Sequence, residues 1–311
     1  MRWRNLWRLL QATFAEWQLK QVSVLASSLA YYTIFSLAPL LIIVIAIVGI
    51  LFGEEAAQGR IVEQLQSLIG REGAEIIETA IANTRLSTTD WRSWQLWLNL
   101  GILVFAASNV FVQLQRALNR VWEVRLAPEF NFAYFIRKRV LSFAMVLVIA
   151  FLLLVSFVFS AVLSAVLSYL GNSVIVPSYF WQVVNFIISF GVITLLFALI
   201  YKVLPDVRVS FQDTVVGATV TAVLFVIGQF LFGIILSRTN LGSAYGVAGS
   251  LVVVITWVYY SAHILLIGAE FTQVYARKYG RPIVPNSHAV KMTSHRAVVE
   301  TPSQHQKRQK R

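Results

Sequence analysis

Long apolar stretches separated by shorter polar segments dominate the pattern of this chain. Six of them approach or exceed the roughly 20 residues that an α-helix needs to cross a hydrocarbon core. They lie at about residues 24–52, 95–114, 140–170, 181–203, 211–236 and 249–275. A helix satisfies its own backbone hydrogen bonds in lipid. The pattern therefore predicts an all-α polytopic membrane protein in which residues 24–281 form one domain with six transmembrane helices.

The sixth stretch carries polar and ionisable side chains along one helical face. Thr256, Tyr260, His263 and Glu270 recur there at helical spacing. An ionisable group deep in a bilayer costs about 2.5 to 3.5 kcal/mol on insertion scales, so this face is expected to contact protein or water.

Polar side chains also recur in three other spans. In the first span, Ser28, Tyr32 and Ser36 follow one another at four-residue spacing. We interpret the polar positions of the four spans as the lining of one cavity that contacts a substrate. They are Ser28, Tyr32, Ser36, Asn109, Gln113, Gln229, Tyr260, His263 and Glu270. For the first span, helix packing through hydroxyl groups is the favoured alternative.

Three cations are expected at the cytoplasmic ends of the spans. Arg116 and Arg120 continue the polar face of the second span, and Lys202 closes the fourth. Each is a candidate ion-pair partner for Glu270 or a contact for an anionic lipid head group.

The segments outside the spans have their own patterns. Residues 1–23 predict an amphipathic helix, which either lies in the membrane surface or packs on the bundle as an ordinary cytoplasmic helix. Residues 53–94 are acidic and predict two short amphipathic helices, broken near Gly70 and Gly73, that form an extracytoplasmic cap. Residues 282–311 are basic and polar, and are expected to form a disordered cytoplasmic tail.

The charge distribution gives an orientation. With the N-terminus inside, 21 of the 26 lysines and arginines lie on the cytoplasmic side, as the positive-inside rule requires. Both termini are therefore predicted to be cytoplasmic. The net charge of +12 is then largely a topology signal with an attraction to anionic lipids, and a nucleic-acid partner is not expected.

The composition and the motifs of the chain exclude several kinds of catalytic and binding site. The chain has no cysteine, so disulfides, thiolate catalysis and sulfur-based metal sites are excluded. The glycines at positions 242, 246 and 249 fit neither a dinucleotide fingerprint nor a phosphate loop. The predicted cytoplasmic acids are scattered singly, without a metal-binding or catalytic arrangement. We therefore predict neither an enzyme nor a bound cofactor or metal.

Four segments carry a resemblance to a known family. ASSLAYYTIFSLAPLL begins at Ala26, and ALNRVWEVR, YKVLPDVRVSFQDTVVGA and WVYYSAHILLIGAEFTQVYA cover residues 117–125, 201–218 and 257–276. In this order they resemble the YihY/BrkB family of bacterial inner-membrane proteins. The resemblance implies a six-helix bundle in the bacterial inner membrane with cytoplasmic termini. Members have been called ribonuclease BN through a historical misassignment, and others virulence or serum-resistance factors.

The function expected from these patterns is transport. A polar cavity inside the bundle predicts a transporter or flippase-like protein for a lipid or another amphiphile, with membrane lipids as partners. The alternative is a scaffold or partner subunit of a cell-envelope complex. A homo-oligomer is also compatible with the sequence. A small-solute or ion transporter with a proton relay between His263 and Glu270 is less favoured, as is a ribonuclease.

Overall fold

The computed structural model describes residues 3–84, 94–126, 140–141, 143–152, 155, 178–238, 249–286 and 288–292. Its elements in chain order are α1 (Trp3–Leu19), α2 (Val22–Phe52), α3 (Glu54–Thr84), α4 (Trp94–Val121), β1 (Val124–Leu126), α5 (Phe143–Leu152), α6 (Ser178–Val203), β2 (Val207–Arg208), α7 (Phe211–Arg238), α8 (Gly249–Tyr279), β3 (Val284–Pro285) and β4 (Ala289–Lys291). The protein is mostly helical, as predicted.

Five of the described helices are long and apolar enough to cross a membrane, namely α2, α4, α6, α7 and α8. They coincide with the first, second, fourth, fifth and sixth predicted spans. The described residues of α5 lie within the third predicted span, most of which is outside the described residues. An all-α polytopic membrane fold is thus supported, while the third of the six spans and the orientation stay predictions.

Helix α3 differs from the two short helices expected before α4. It runs without interruption through Gly70 and Gly73. A glycine inside a helix costs only about 1 kcal/mol relative to alanine, and α3 packs along α2 with Ile61 and Ile77 buried in the main core. This packing is sufficient to hold one helix across both glycines.

Helices α7 and α8 approach each other closely. A Cβ atom added at Gly217 of α7 would collide with Thr272 of α8, and one added at Gly268 of α8 would collide with Thr221 of α7. Small residues four apart permit such contact between transmembrane helices. Tyr201 of α6 joins this pair because its hydroxyl donates to the carbonyl of Leu265, with an O···O distance of 2.7 Å.

Helix α1 packs on the bundle with one face and leaves the other uncovered. Leu9 is fully buried against Phe271 of α8. Trp7 and Phe14, which are apolar side chains seven positions apart on its uncovered face, are each 58% exposed. The helix therefore combines contact with the bundle and an exposed apolar stripe of the kind that enters a membrane surface.

Two short antiparallel strand pairs hold part of the predicted tail on the bundle. Strand β4 pairs with β1 after α4, and β3 pairs with β2 between α6 and α7. The backbone N–H of Asn286 also donates to the carbonyl of Asp206 at 3.0 Å, and that of Met292 to Glu123 at 2.8 Å. Over residues 284–286 and 288–292 the structure thus differs from the expected disorder, because neighbouring loops satisfy this backbone. Residues 293–311 lie outside the described residues.

Candidate functional site

The turn between α1 and α2 places a lysine inside the protein. Gln21 has a φ of 53°, in the left-handed region, and this turn lets α2 begin immediately after α1. The Lys20 side chain consequently points inward and is only 8% exposed. An ammonium group at such a position requires partners that replace its lost hydration.

Lys20 finds these partners on α4 and α8. Its Nζ atom donates to the carbonyl of Val121 at 2.7 Å, to Oε2 of Glu270 at 2.8 Å and to Oε1 of Gln273 at 2.6 Å. An ammonium group has three donors, so its hydrogen-bonding capacity is filled. Residues from both ends of the sequence are therefore tied to the end of α4 by one side chain.

Further charges surround this centre. Nζ of Lys20 also lies 3.7 Å from Oε2 of Glu16 and 3.5 Å from Oε1 of Glu123. Arg277 is placed 2.7 Å from Glu123 (Nη2 to Oε2) and 3.6 Å from Glu16 (Nη1 to Oε1). We call the set Glu16, Lys20, Glu123, Glu270, Gln273 and Arg277 the Lys20 network.

Glu123 lies at the outer part of the network in a strained backbone conformation. Its φ of 54° is left-handed, which costs a residue other than glycine about 1 to 3 kcal/mol. Partial burial alone would raise the pKa of its carboxyl. The hydrogen bond and charge of Arg277, together with Lys20, outweigh this effect, so the pKa lies below its usual value of 4.5. Glu123 is accordingly a carboxylate at neutral pH.

The inner part of the network holds polar atoms without a protein partner. Among the described residues, Oε1 of Glu270 and Nε2 of Gln273 are buried with no hydrogen bond to protein, as is Nε1 of the adjacent Trp122. Glu270 itself is completely buried. Unsatisfied buried groups of this kind cost about 1 to 3 kcal/mol each, and they commonly mark functional or hydrated sites.

A cavity of about 390 Å³ adjoins the network. Glu123, Gln273 and Arg277 contribute to its wall, and Arg281 and Lys291 add two further cations from the segment after α8. We call it the Arg277 cavity. Its volume lies in the range of small-molecule sites, and its wall contains three cations and one carboxylate. It is suited to a polar group with acceptor atoms.

Two of the predicted cavity residues, Gln113 and His263, contact serines of α2. Nε2 of Gln113 donates to Oγ of Ser28 at 2.6 Å, across α4 and α2. Nδ1 of His263 lies 3.1 Å from the carbonyl oxygen of Tyr259, to which it can only donate, and Nε2 lies 3.3 Å from Oγ of Ser23 on α2. Both contacts connect α2 to a neighbouring helix.

The remaining predicted cavity residues have varied surroundings. Ser36 donates to the carbonyl of Tyr32 within α2 at 2.9 Å, and Tyr32 is 38% exposed. The ring of Tyr260 packs against Phe232 and Trp257. Asn109 and Gln229 are half-buried. A common cavity for all nine residues remains a prediction.

The three predicted cations likewise have different surroundings from one another. Lys202 donates to the carbonyl of Val209, and Nη1 of Arg120 lies 3.7 Å from Sδ of Met292. Arg116 is exposed. Glu270 is paired with Lys20, which sequence reasoning missed. The positions 270, 273 and 277 do share one helical face, and that spacing could have revealed half of the network.

Comparisons with known proteins agree with one another. The family model described as Virulence factor BrkB matches residues 13–293. A UPF0761 membrane protein of Pseudoalteromonas translucida is 25% identical over 81% of this chain and 80% of its own length. Those of Psychromonas ingrahamii and Aeromonas salmonicida are 26% and 24% identical, covering 81% and 88% of this chain and 82% and 90% of their own. No solved structure matches.

Proposed function

Because the chain belongs to the Virulence factor BrkB family, whose curated relatives are membrane proteins, we propose that it moves a lipid or another amphiphile across the bacterial inner membrane. In this proposal six spans cross the membrane with both termini in the cytoplasm, and α3 belongs to a cap on the outer face. The inner ends of α4 and α8 receive the polar part of the cargo.

The observation that supports transport is the Lys20 network beside the Arg277 cavity. Charged side chains within membrane helices are costly and commonly mark substrate or ion pathways. Glu270 and Gln273 keep unpaired polar atoms on the buried side of this network, and Arg277 is 40% exposed on the other side. A polar head group therefore has access to a cation at the surface of a buried polar cluster.

Competition between Glu123 and the cargo for Arg277 provides a mechanism by which the protein admits the cargo. The guanidinium contacts Glu123 and Glu16, and both carboxylates also face Lys20. An anionic cargo group that binds Arg277 would displace Glu123, which would still have Lys20 as a partner. Because α1, α4 and α8 all contribute to the network, this exchange would loosen the contact between α1 and the bundle.

Transport is tested by reconstitution. The purified protein is placed in phosphatidylethanolamine–phosphatidylglycerol vesicles with an acyl-labelled fluorescent phosphatidylglycerol, and the label on the outer leaflet is quenched with dithionite. We expect wild type to expose the inner-leaflet label and Arg277→Gln to slow this exposure about tenfold. Arg71→Gln is the matched control, because it removes an exposed arginine that pairs with Glu75 on α3. Wild-type vesicles that behave like protein-free vesicles would refute transport of this lipid.

A second candidate is a scaffold or partner subunit of an envelope complex. The hydrogen bonds from Gln113 to Ser28 and from Tyr201 to Leu265 favour it, because they fix helices to one another. For a scaffold, the double variant Ser28→Ala/Gln113→Ala should lower the melting temperature, while wild type moves no lipid. Cross-linking in intact membranes would then identify envelope proteins or a second copy as the partner.

A further inference from the structure

A second cavity lies where α6 ends and α7 begins. Its volume is about 570 Å³. Its wall includes Lys202 from α6, Arg208 from β2 and Arg281 after α8, with Ser210 and Gln212 next to the start of α7. We call it the Arg208 groove. It is distinct from the Lys20 network, although Arg281 contributes to both cavities.

The pairing of β2 with β3 builds this groove. Arg208 lies opposite Val284 in the antiparallel pair, and Lys202 donates to the carbonyl of Val209. The side chain of Asp213 accepts from the backbone N–H of Arg281 at 3.4 Å, which fixes the segment after α8 to the first turn of α7. The three cations are therefore held together by contacts from three parts of the chain.

The acids near the groove form no ion pair with its three cations among the residues that the structure describes. Asp206 is bound to Asn119 at 2.7 Å and to Gln115 at 3.2 Å, and Asp213 is buried. Within the ranges that the structure describes, Lys202, Arg208 and Arg281 form no ion pair. Three exposed cations facing one cavity favour a ligand with concentrated negative charge.

The groove also lies beside the ends of two candidate membrane spans. Its wall includes the exposed apolar side chains of Phe211 and Val284, which are 64% and 53% exposed. The span within α6 ends at Val203, and the span within α7 begins at Phe211. The first backbone N–H groups of α7 add donors of the kind that bind phosphate at helix N-termini. Cations and apolar side chains thus meet at the end of one candidate span and the start of the next.

We propose that the Arg208 groove binds the phosphate group of an anionic phospholipid. The proposal does not depend on transport, because a phospholipid could bind there in a scaffold as well. Lys202, Arg208 and Arg281 would contact the phosphate, and Phe211 and Val284 would contact the upper part of the acyl chains. Binding would hold the segment after α8 against α7.

Native mass spectrometry of the full-length protein in detergent tests this proposal. Phosphatidylglycerol, phosphatidylethanolamine and inorganic phosphate are titrated separately against wild type, Arg208→Gln/Arg281→Gln and Arg238→Gln. Arg238 is the matched control, because it is an exposed arginine at the opposite end of α7. A lysine or arginine near an anionic surface contributes about a fivefold gain in affinity. The double variant should therefore bind phosphatidylglycerol roughly 25-fold more weakly, and Arg238→Gln should bind it like wild type.

The three ligands separate the sources of the phosphate. Binding of phosphatidylglycerol without saturable binding of inorganic phosphate, and with weaker binding of phosphatidylethanolamine, supports the phospholipid. Saturable binding of inorganic phosphate that is lost in the double variant would assign the groove to a soluble phosphate compound and overturn the lipid assignment. Equal affinity of all three proteins for phosphatidylglycerol would overturn the site itself. Because this measurement requires no transport, it remains decisive if reconstitution shows none.

Discussion

Lys20 and Glu270 are 250 positions apart in the sequence, and their Nζ and Oε2 atoms lie 2.8 Å apart in the structure. Glu270 depends on Lys20 for its ion pair more than Lys20 depends on Glu270. The fully buried carboxylate of Glu270 pairs with Lys20. Lys20, in contrast, also has the carboxylates of Glu16 and Glu123 within ion-pair distance. Removing the lysine should therefore harm the fold more than removing the charge of Glu270.

We predict that Lys20→Met destabilises the protein by about 3 to 5 kcal/mol, because it leaves a buried carboxylate without its cation. Glu270→Gln should cost less, and the double variant Lys20→Met/Glu270→Gln should be more stable than Lys20→Met alone. Chemical unfolding in detergent, followed by tryptophan fluorescence, measures the three differences. Additive losses in the double variant would show that the two side chains are not coupled.

Stability is expected to depend on pH through Glu123. Because the pKa of its carboxyl is lower in the folded protein than the usual 4.5, protonation favours the unfolded state. The stabilisation from Glu123 is complete above pH 4.5 and is lost as the pH falls below it. Melting temperatures recorded from pH 7 to about pH 3 should fall less steeply for Glu123→Gln than for wild type. Glu63→Gln, at a 71% exposed position, should follow wild type.

Two glycines of α7 should respond differently to the same substitution. A Cβ atom at Gly217 would collide with Thr272, whereas one at Gly233 would have no atom within 4 Å. We predict that Gly217→Ala destabilises the protein by about 1 to 3 kcal/mol through overpacking. Gly233→Ala should be neutral or stabilise α7 by up to about 1 kcal/mol. Thermal unfolding in detergent measures both, and a neutral Gly217→Ala would contradict the close approach of α7 and α8.

Hydrophobicity predicted the spans better than the site. Helix α8 begins at the predicted Gly249, and α2 begins two residues before the predicted start, because a bilayer-length apolar run has few structural solutions. The break expected at Gly70 and Gly73 is absent because packing of α3 on α2 outweighs helix propensity. The pairing of Lys20 with Glu270 depends on tertiary contact between distant segments, which helical spacing does not reveal.

The short strands after α8 escaped prediction for a related reason. Strand β3 has two residues and β4 has three, so neither is long enough to show an alternating pattern. Their conformation depends on the loops after α4 and α6, which supply hydrogen-bonding partners. The polar composition after Pro282 is typical of a disordered tail, and composition contains no information about those partners.

The strands lead to a prediction about truncation. A chain that ends at Met292 keeps both strand pairs and the backbone bond from Met292 to Glu123, whereas a chain that ends at Ile283 loses them together with Val284 of the Arg208 groove. Since each backbone hydrogen bond contributes about 0.5 to 1.5 kcal/mol, the shorter chain should melt at a lower temperature. It should also bind phosphatidylglycerol more weakly than the chain that ends at Met292, as measured by the same titration. Equal melting temperatures for the two chains would show that β3 and β4 do not stabilise the bundle.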